Sequence, residues 1–155
     1  MAIHEIESQW MGGMQFNTLI DDHVITLDAP VKSGGQDLGP VPKPLLLTAI
    51  AGCTGMDVVA ILRKQQIAVE NMNIRVRGTL STSTPLVYTG AHIVFEIQGS
   101  KEDSDVIVQT VKDSQERFCG VGMMLRKAFP ITWDVFLNGN LISTTLSETH
   151  APAAS

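Results

Sequence analysis

Two cysteines, Cys53 and Cys119, are the residues of this sequence whose chemistry extends furthest beyond packing. They lie far apart in the chain and form no Cys-x-x-Cys motif, so the sequence alone leaves open whether their sulfurs meet. One interpretation is that both are small core residues, because free cysteines are commonly buried. The other is a redox or metal pair, because thiolates attack peroxides and disulfides and bind metals.

Each cysteine stands beside glycine at a point where we predict a helix to begin. Gly52 breaks a long apolar run, which predicts that one helix ends there and a second begins near Cys53. Gly120 follows Cys119 at a similar interruption. The free N–H groups and the dipole at a helix start lower the pKa of a thiol. These positions therefore favour reactive thiols, and Arg117 either adds positive charge near Cys119 or faces solvent.

The pattern of apolar and turn residues predicts the elements that must position the cysteines. We expect strands at 2–10, 14–20, 23–27, 69–81, 86–97 and 131–137, and helices at 45–66 (broken near Gly52), 103–117 and 121–129. The strands come mostly as hairpins, and the helices are segregated from them. The sequence therefore predicts the α+β class, with antiparallel sheets and a central buried helix that carries Cys53. A single domain at 1–141 and a flexible tail at 142–155 complete this prediction.

Charge and composition exclude some classes of partner. The net charge is −5 and the basic residues are scattered, which argues against nucleic acid, because Lys and Arg supply most of that affinity. The apolar run Leu45–Leu62 is long enough to span a bilayer but contains Asp57, which would cost about 2.5–3.5 kcal/mol at mid-membrane. We therefore expect no membrane partner. The first residues resemble no secretory leader, so we expect a cytoplasmic location, where thiols stay reduced.

Other catalytic motifs give weaker signals. The four histidines follow no metal-binding spacing, and zinc held by both cysteines and a distant histidine stays an open alternative that needs three or four converging ligands. The serine-hydrolase motif and the phosphate-binding glycine loops are both absent from the sequence. Asp57 is interpreted as a cap of the predicted helix start at Cys53.

Each cysteine lies in a distinctive segment. The first is Pro42–Val59, which contains Ala51-Gly52-Cys53-Thr54-Gly55-Met56-Asp57, and the second is Glu116–Leu125, which contains Phe118-Cys119-Gly120-Val121-Gly122. Both resemble the cysteine motifs of the OsmC/Ohr (organic hydroperoxide resistance) family. Trp10-Met11-Gly12-Gly13 also fits the family, as does the order of elements over about residues 3–138. The resemblance thus covers nearly the whole chain.

The resemblance implies an intertwined homodimer that reduces organic hydroperoxides, with hydrogen peroxide as a further candidate oxidant. Cys53 would be the peroxidatic thiolate, which becomes a sulfenic acid, and Cys119 the resolving thiol, which closes a disulfide. A dithiol reductant of unknown identity would reopen that disulfide, and no metal or organic cofactor is implied. The alternative is a non-catalytic dimer of the same fold that binds an apolar ligand or senses redox state.

This sequence departs from the best-characterised branch of the family at two positions. The resemblance places Met14 where that branch has an arginine and Lys43 where it has a glutamate. The chain thus resembles a branch that lacks this pair. One hypothesis is that Lys43 supplies the missing positive charge to Cys53. The alternative is that Lys43 is a loop lysine that faces solvent.

Overall fold

The computed structural model describes residues 2–146 and confirms the α+β class. The chain divides into two compact units, one that ends at Leu46 and one that begins at Leu47. The first unit contains a three-stranded sheet, and the second contains a four-stranded sheet. Most of the helix that carries Cys53 belongs to the second unit, as does Cys119.

The first unit is an antiparallel meander of β1 (Glu7–Gly12), β2 (Gln15–Ile20) and β3 (His23–Leu27). Strands β2 and β3 match the predicted ranges, whereas β1 begins at Glu7 rather than at residue 2. Gly12 and Gly13 form the first turn with φ values of 103° and 55°, which glycine adopts at low cost.

Asp28 organises the loop after β3. Its carboxylate accepts hydrogen bonds from the backbone N–H groups of Ala29, Gln36 and Leu38 at 2.7, 2.9 and 3.2 Å. Burial by itself raises the pKa of Asp28, but these N–H donors outweigh it and hold the pKa below its usual range.

The second unit contains a mixed sheet in the order β4 (Val69–Leu80), β5 (Tyr88–Gly99), β6 (Ile131–Leu137) and β7 (Asn140–Thr144). Strand β5 pairs antiparallel with β4 but parallel with β6. The expectation of purely antiparallel sheets was therefore wrong at this pair. Two helices lie in the connection between β5 and β6, and a crossover of this length is what parallel neighbours require.

Strand β7 was not among the predicted elements. It follows the predicted Asn138-Gly139 turn and pairs antiparallel with β6 through Thr144, beyond residue 141, where we expected the domain to end. The rest of the predicted tail, 147–155, lies outside the described residues.

Helix α1 (Leu45–Lys64) is continuous, so the predicted break at Gly52 was wrong. Its fully buried residues recur every four positions and form one stripe, at Ile50, Thr54, Val58 and Leu62. Each interior glycine costs about 1 kcal/mol relative to alanine, and burial of this stripe offsets that cost. Gly55 also permits close packing, because a Cβ there would lie 2.8 Å from Cδ1 of Ile74 on β4.

In the single chain, the predicted burial of α1 holds for the stripe of the helix that faces the core. Met56 on α1 is 76% exposed, whereas the stripe packs into the core of the second unit. Helix α1 has the length and hydropathy to cross a membrane, but a core helix of a globular domain has the same properties.

The remaining helical segment leads directly to Cys119. Helix α2 (Ser104–Asp113) continues into a π-helical turn (Ser114–Phe118), and α3 (Gly120–Leu125) follows. The predicted interruption at Cys119 is confirmed, although α3 ends at Leu125 rather than at 129. The core of this unit combines the α1 stripe with buried residues of β5, β6 and α2, including Ile93, Phe95, Val135 and Ile107.

Candidate redox site

The structure brings the two cysteines together in the second unit. The Sγ atoms of Cys53 and Cys119 and a carboxylate oxygen of Asp57 all lie within 4.8 Å of one another. Both cysteines are free thiols. Cys53 is partly exposed, whereas Cys119 has no exposed surface. The question that sequence spacing left open is thereby answered, because the sulfurs share one site.

Cys53 lies in the middle of α1 rather than at a helix start. Because α1 is continuous from Leu45, the backbone N–H groups around Cys53 are inside the helix, and the predicted stabilisation by a helix N-terminus was wrong for this thiol. Asp57 follows Cys53 by four residues, which places both side chains on one helix face. The interpretation of Asp57 as a cap was wrong for the same reason. Its carboxylate lies beside the sulfurs.

Cys119 occupies the predicted position at the start of α3. Its Sγ accepts a hydrogen bond from the Gly122 N–H at 3.3 Å, and its own N–H donates to the carbonyl of Ser114 at 2.8 Å. Burial raises the pKa of Cys119 to about 11, and neighbouring Cys53 and Asp57 add to that rise. The Gly122 N–H acts in the opposite direction but is outweighed. The expectation of a lowered pKa was therefore wrong for Cys119, since burial dominates the helix-start effect.

A chain of buried side chains holds Asp57 in place. Ser114 Oγ donates to Asp57 Oδ2 at 3.2 Å and lies 2.9 Å from Thr54 Oγ1, which accepts from Gln115 Nε2. Since Ser114 donates to Asp57, the Thr54 hydroxyl donates to Ser114. Thr54, Ser114 and Gln115 have no exposed surface. Fully satisfied buried networks of this kind fix one arrangement, so the carboxylate has a defined orientation toward the sulfurs.

Arg126 binds Gln115 at the other end of this series of hydrogen-bonded side chains. Its guanidinium donates to the backbone carbonyl and to Oε1 of Gln115 at 2.5 and 2.8 Å. Burial lowers the pKa of Arg126, while nearby Cys119 and Glu116 act to raise it. Arg126 is thus the cation beside Cys119. Arg117, considered for this role from the sequence, pairs instead with Asp113 at 3.7 Å and is exposed.

Lys43 and Met14 belong to the first unit. Lys43 lies in the loop before α1, where its carbonyl accepts from the Leu46 N–H at 3.2 Å. Its suggested role as a charge partner of Cys53 stays a prediction.

Ser114, Gln115 and Arg126 were not predicted from the sequence, and the predicted role of Asp57 was wrong. The four-residue spacing between Cys53 and Asp57 indicates that both side chains lie on one helix face, provided that the helix is continuous. The other three carry no local signal, because their roles depend on a π-helical turn and on contacts with a distant helix.

A sequence model of OsmC-like proteins matches residues 34–134 of this chain. The chain belongs to the OsmC-like family. Protein YhfA of Escherichia coli strain K12 is 30% identical over 125 residues, which cover 80% of this chain and 90% of YhfA.

Solved structures of other proteins share this fold. A hypothetical protein from Aquifex aeolicus VF5 is similar, with a TM-score of 0.73 and 26% identity over 89% of this chain and 99% of its own. An organic hydroperoxide resistance protein OsmC from Legionella pneumophila gives a TM-score of 0.65 at 17% identity, over 86% of this chain and 96% of its own. At that identity the likeness extends to the fold alone.

Proposed function

We propose that this protein is a thiol-dependent peroxidase that reduces organic hydroperoxides, with Cys53 as the peroxidatic and Cys119 as the resolving thiol. The observation that carries the proposal is the pair of sulfurs within 4.8 Å in one site, one partly exposed and the other buried. Family membership and the fold shared with an organic hydroperoxide resistance protein support the same chemistry.

The reaction proceeds in three balanced steps. The Cys53 thiolate attacks the O–O bond of the hydroperoxide, takes one oxygen and, with a proton, becomes a sulfenic acid while the alcohol leaves. The Cys119 thiol then displaces the hydroxyl of that sulfenic acid as water, and the two sulfurs form a disulfide. A dithiol reductant finally exchanges with this disulfide, is itself oxidised, and restores both thiols. A cytoplasmic location, which we also propose, would supply such a dithiol.

The exposure of the two thiols supports this order. A hydroperoxide from solvent can approach the partly exposed Cys53, whereas the fully buried Cys119 is accessible only to a group already inside the site. The raised pKa of Cys119 acts in the same direction, because a protonated thiol is a poor nucleophile toward peroxide. To close the disulfide, the two sulfurs must approach from within 4.8 Å to about 2.05 Å.

Exposed methionines that lie near the two cysteines in sequence suit an organic substrate. Met123 and Met124 follow Cys119 on α3 and are exposed by 51% and 65%. Met56 lies beside Asp57 and lines a groove of about 370 Å³ with Val59 and other α1 and β4 residues. Flexible methionine side chains adapt to alkyl groups of different shape.

The intertwined homodimer also belongs to this proposal. Many large apolar side chains of the first unit are exposed in the single chain, among them Ile6, Trp10, Met14, Phe16 and Val24. A three-stranded sheet that exposes so much apolar surface needs a partner surface. A second copy of the chain would cover it, and sedimentation equilibrium of the reduced protein would test this.

Lys43 is the proposed charge partner of Cys53 in place of the missing arginine. The test is the titration of the Cys53 thiol in the Lys43→Ala variant and in wild type, with Lys32→Ala as a matched loop control. A Cys53 pKa that rises only in Lys43→Ala supports the role. An unchanged Cys53 pKa in Lys43→Ala would contradict the role.

Stopped-flow consumption of cumene hydroperoxide by the reduced protein tests the activity. We expect fast consumption that Cys53→Ser abolishes, with the loss of two thiols per wild-type chain. Cys119→Ser should retain the first step and accumulate a sulfenic acid on Cys53. Consumption no faster than that of a free thiol would refute the peroxidase.

The second candidate function is the binding of an apolar ligand, with the thiols as a redox sensor or unused. An open groove favours this function, because its surface is mainly apolar. It is lined by Gly55, Met56, Val59, Ala60 and Arg63 on α1 and by Met72 on β4. Slow, Cys53-independent peroxide consumption together with saturable binding of a fluorescent fatty acid would support this function instead.

A further inference from the structure

We propose that the reduced protein binds one divalent cation of the Zn²⁺ class through Cys53, Cys119 and Asp57. The proposal concerns the site with its thiols reduced, and the binding itself does not rest on peroxidase activity. Within the part of the chain that the structure describes, these three residues form the cluster whose donor atoms converge, all within 4.8 Å of one another.

The spacing of the donors fits a small tetrahedral ion. Zinc–sulfur bonds of about 2.3 Å and zinc–oxygen bonds of about 2.0–2.2 Å place neighbouring donors of a tetrahedron roughly 3.5–3.8 Å apart. The donors here lie within 4.8 Å of one another, so each pair needs to close by about 1.3 Å at most to reach that spacing. Cys53 and Asp57 project from one face of α1, and Cys119 reaches them from the start of α3.

The types of donor decide which ion fits. Two thiolates and one carboxylate favour Zn²⁺, Co²⁺ or Cd²⁺ over Mg²⁺ and Ca²⁺, which prefer oxygen donors only. Three protein donors leave a fourth position for water or an incoming ligand, and the partly exposed Cys53 side offers the entry path.

The surroundings of the donors complete the arrangement. Ser114 donates to Oδ2 of Asp57, which leaves the other carboxylate oxygen free to bind the ion. The Gly122 N–H donates to Cys119 Sγ. Such hydrogen bonds to ligands orient them and raise metal affinity. The buried chain through Thr54 and Gln115 holds Ser114 in the same position, so the carboxylate is fixed before an ion arrives.

Metal binding and disulfide formation exclude each other. A disulfide holds its sulfurs about 2.05 Å apart and leaves no thiolate, whereas two zinc-bound thiolates lie roughly 3.7 Å apart. The ion therefore binds only the reduced state, and a pair that is already closed as a disulfide does not bind it. If the proposed peroxidase activity holds, the bound ion also protects Cys53 from peroxide, which makes free zinc an inhibitor rather than a cofactor.

Titration of the full-length reduced protein with Co²⁺, and competition of Co²⁺ by Zn²⁺, tests the site. We expect one Co²⁺ per chain and a thiolate-to-cobalt charge-transfer band in the near ultraviolet. We also expect visible absorption bands with the high intensity that tetrahedral Co²⁺ shows. Cys53→Ser, Cys119→Ser and Asp57→Asn should each weaken binding by more than about tenfold, since each removes a direct ligand. The matched control is Asp113→Asn, a carboxylate that pairs with Arg117 outside the cluster, and it should leave affinity and spectrum unchanged.

The outcomes separate this proposal from the peroxidase. The metal site is overturned if Asp57→Asn binds Co²⁺ as tightly as the Asp113→Asn control does. It is also overturned if bound Co²⁺ gives no charge-transfer band. Both results hold whatever the peroxidase activity. Circular dichroism of Asp57→Asn establishes that the variant is folded, and Cys53→Ser gives a second, independent test of ligation. Peroxide reduction without metal binding overturns this inference alone. Tight, Asp57-dependent binding in a protein without peroxidase activity overturns only the proposed function.

Discussion

Alkylation by iodoacetamide measures directly what burial does to the Cys119 thiol. Only the thiolate reacts, and a free cysteine with a pKa of about 8.5 is roughly 3% thiolate at pH 7. The pKa of Cys119 is raised to about 11, mainly by burial. Its thiolate fraction at pH 7 is then about 0.01%, which is roughly 300-fold lower than the fraction of a free cysteine. Cys119 also has no exposed surface, so its rate should fall at least that far below the rate of a free thiol.

The assay follows each thiol separately in the wild-type chain. Reduced protein in the presence of a chelator receives a short iodoacetamide pulse, is unfolded, and has its remaining thiols blocked with an isotopic reagent. Trypsin separates the cysteines, because Cys119 lies in the short peptide between Arg117 and Arg126. We expect Cys53 to be labelled first, and the Cys119 rate to rise about tenfold per pH unit between pH 7 and 10.

Two results would refute this reasoning. One is labelling of native Cys119 at pH 7 at a rate within tenfold of that in guanidinium, where both thiols are exposed. The other is a Cys119 rate that is independent of pH across this range, because the thiolate fraction would then not control reactivity.

Three further predictions concern stability. Because the pKa of Cys119 is higher in the folded than in the unfolded chain, its stabilising contribution is complete below about pH 8.5 and is lost as the pH rises toward 11. Urea unfolding should show this loss of roughly 3 kcal/mol, and Cys119→Ala should not show it. The pKa of Asp28 is lowered in the fold, so its contribution is present at neutral pH and disappears as the pH falls through the folded-state pKa. Asp28→Asn should therefore speed amide hydrogen exchange at Gln36, and equal exchange in both proteins would contradict this. Gly35→Ala should lower the thermal midpoint, because its Cβ would lie 1.8 Å from the Ala29 carbonyl oxygen, and an unchanged midpoint would mean that this loop adapts freely.

The strands were predictable because their signals are local. Strand β6 alternates buried and partly buried residues from Ile131 to Leu137, and its bounds match the prediction. Strand β3 also matches, since turn residues enclose a short apolar run. The direction of β6 was not predictable in the same way. It depends on the crossover that carries α2 and α3 rather than on the strand residues themselves.

Helix α1 marks the limit of local reasoning. Two glycines in its interior predict a break, because each destabilises a helix relative to alanine. The helix nevertheless continues, because Val58, Leu62 and the rest of the buried stripe pack into the core and because Gly55 admits Ile74. This one difference moved Cys53 away from a helix start and brought Asp57 to its side.

By itself, the sequence determined the two cysteine motifs, the α+β class and the helix start at Cys119, because these depend on neighbours along the chain. Only the tertiary structure decided that the sulfurs meet, that Asp57 joins them, and that Arg126 rather than Arg117 is the nearby cation. These features arise from packing between residues distant in sequence, where burial and long-range hydrogen bonds outweigh local propensity. The same burial raised the pKa of Cys119, against the expectation from its helix position.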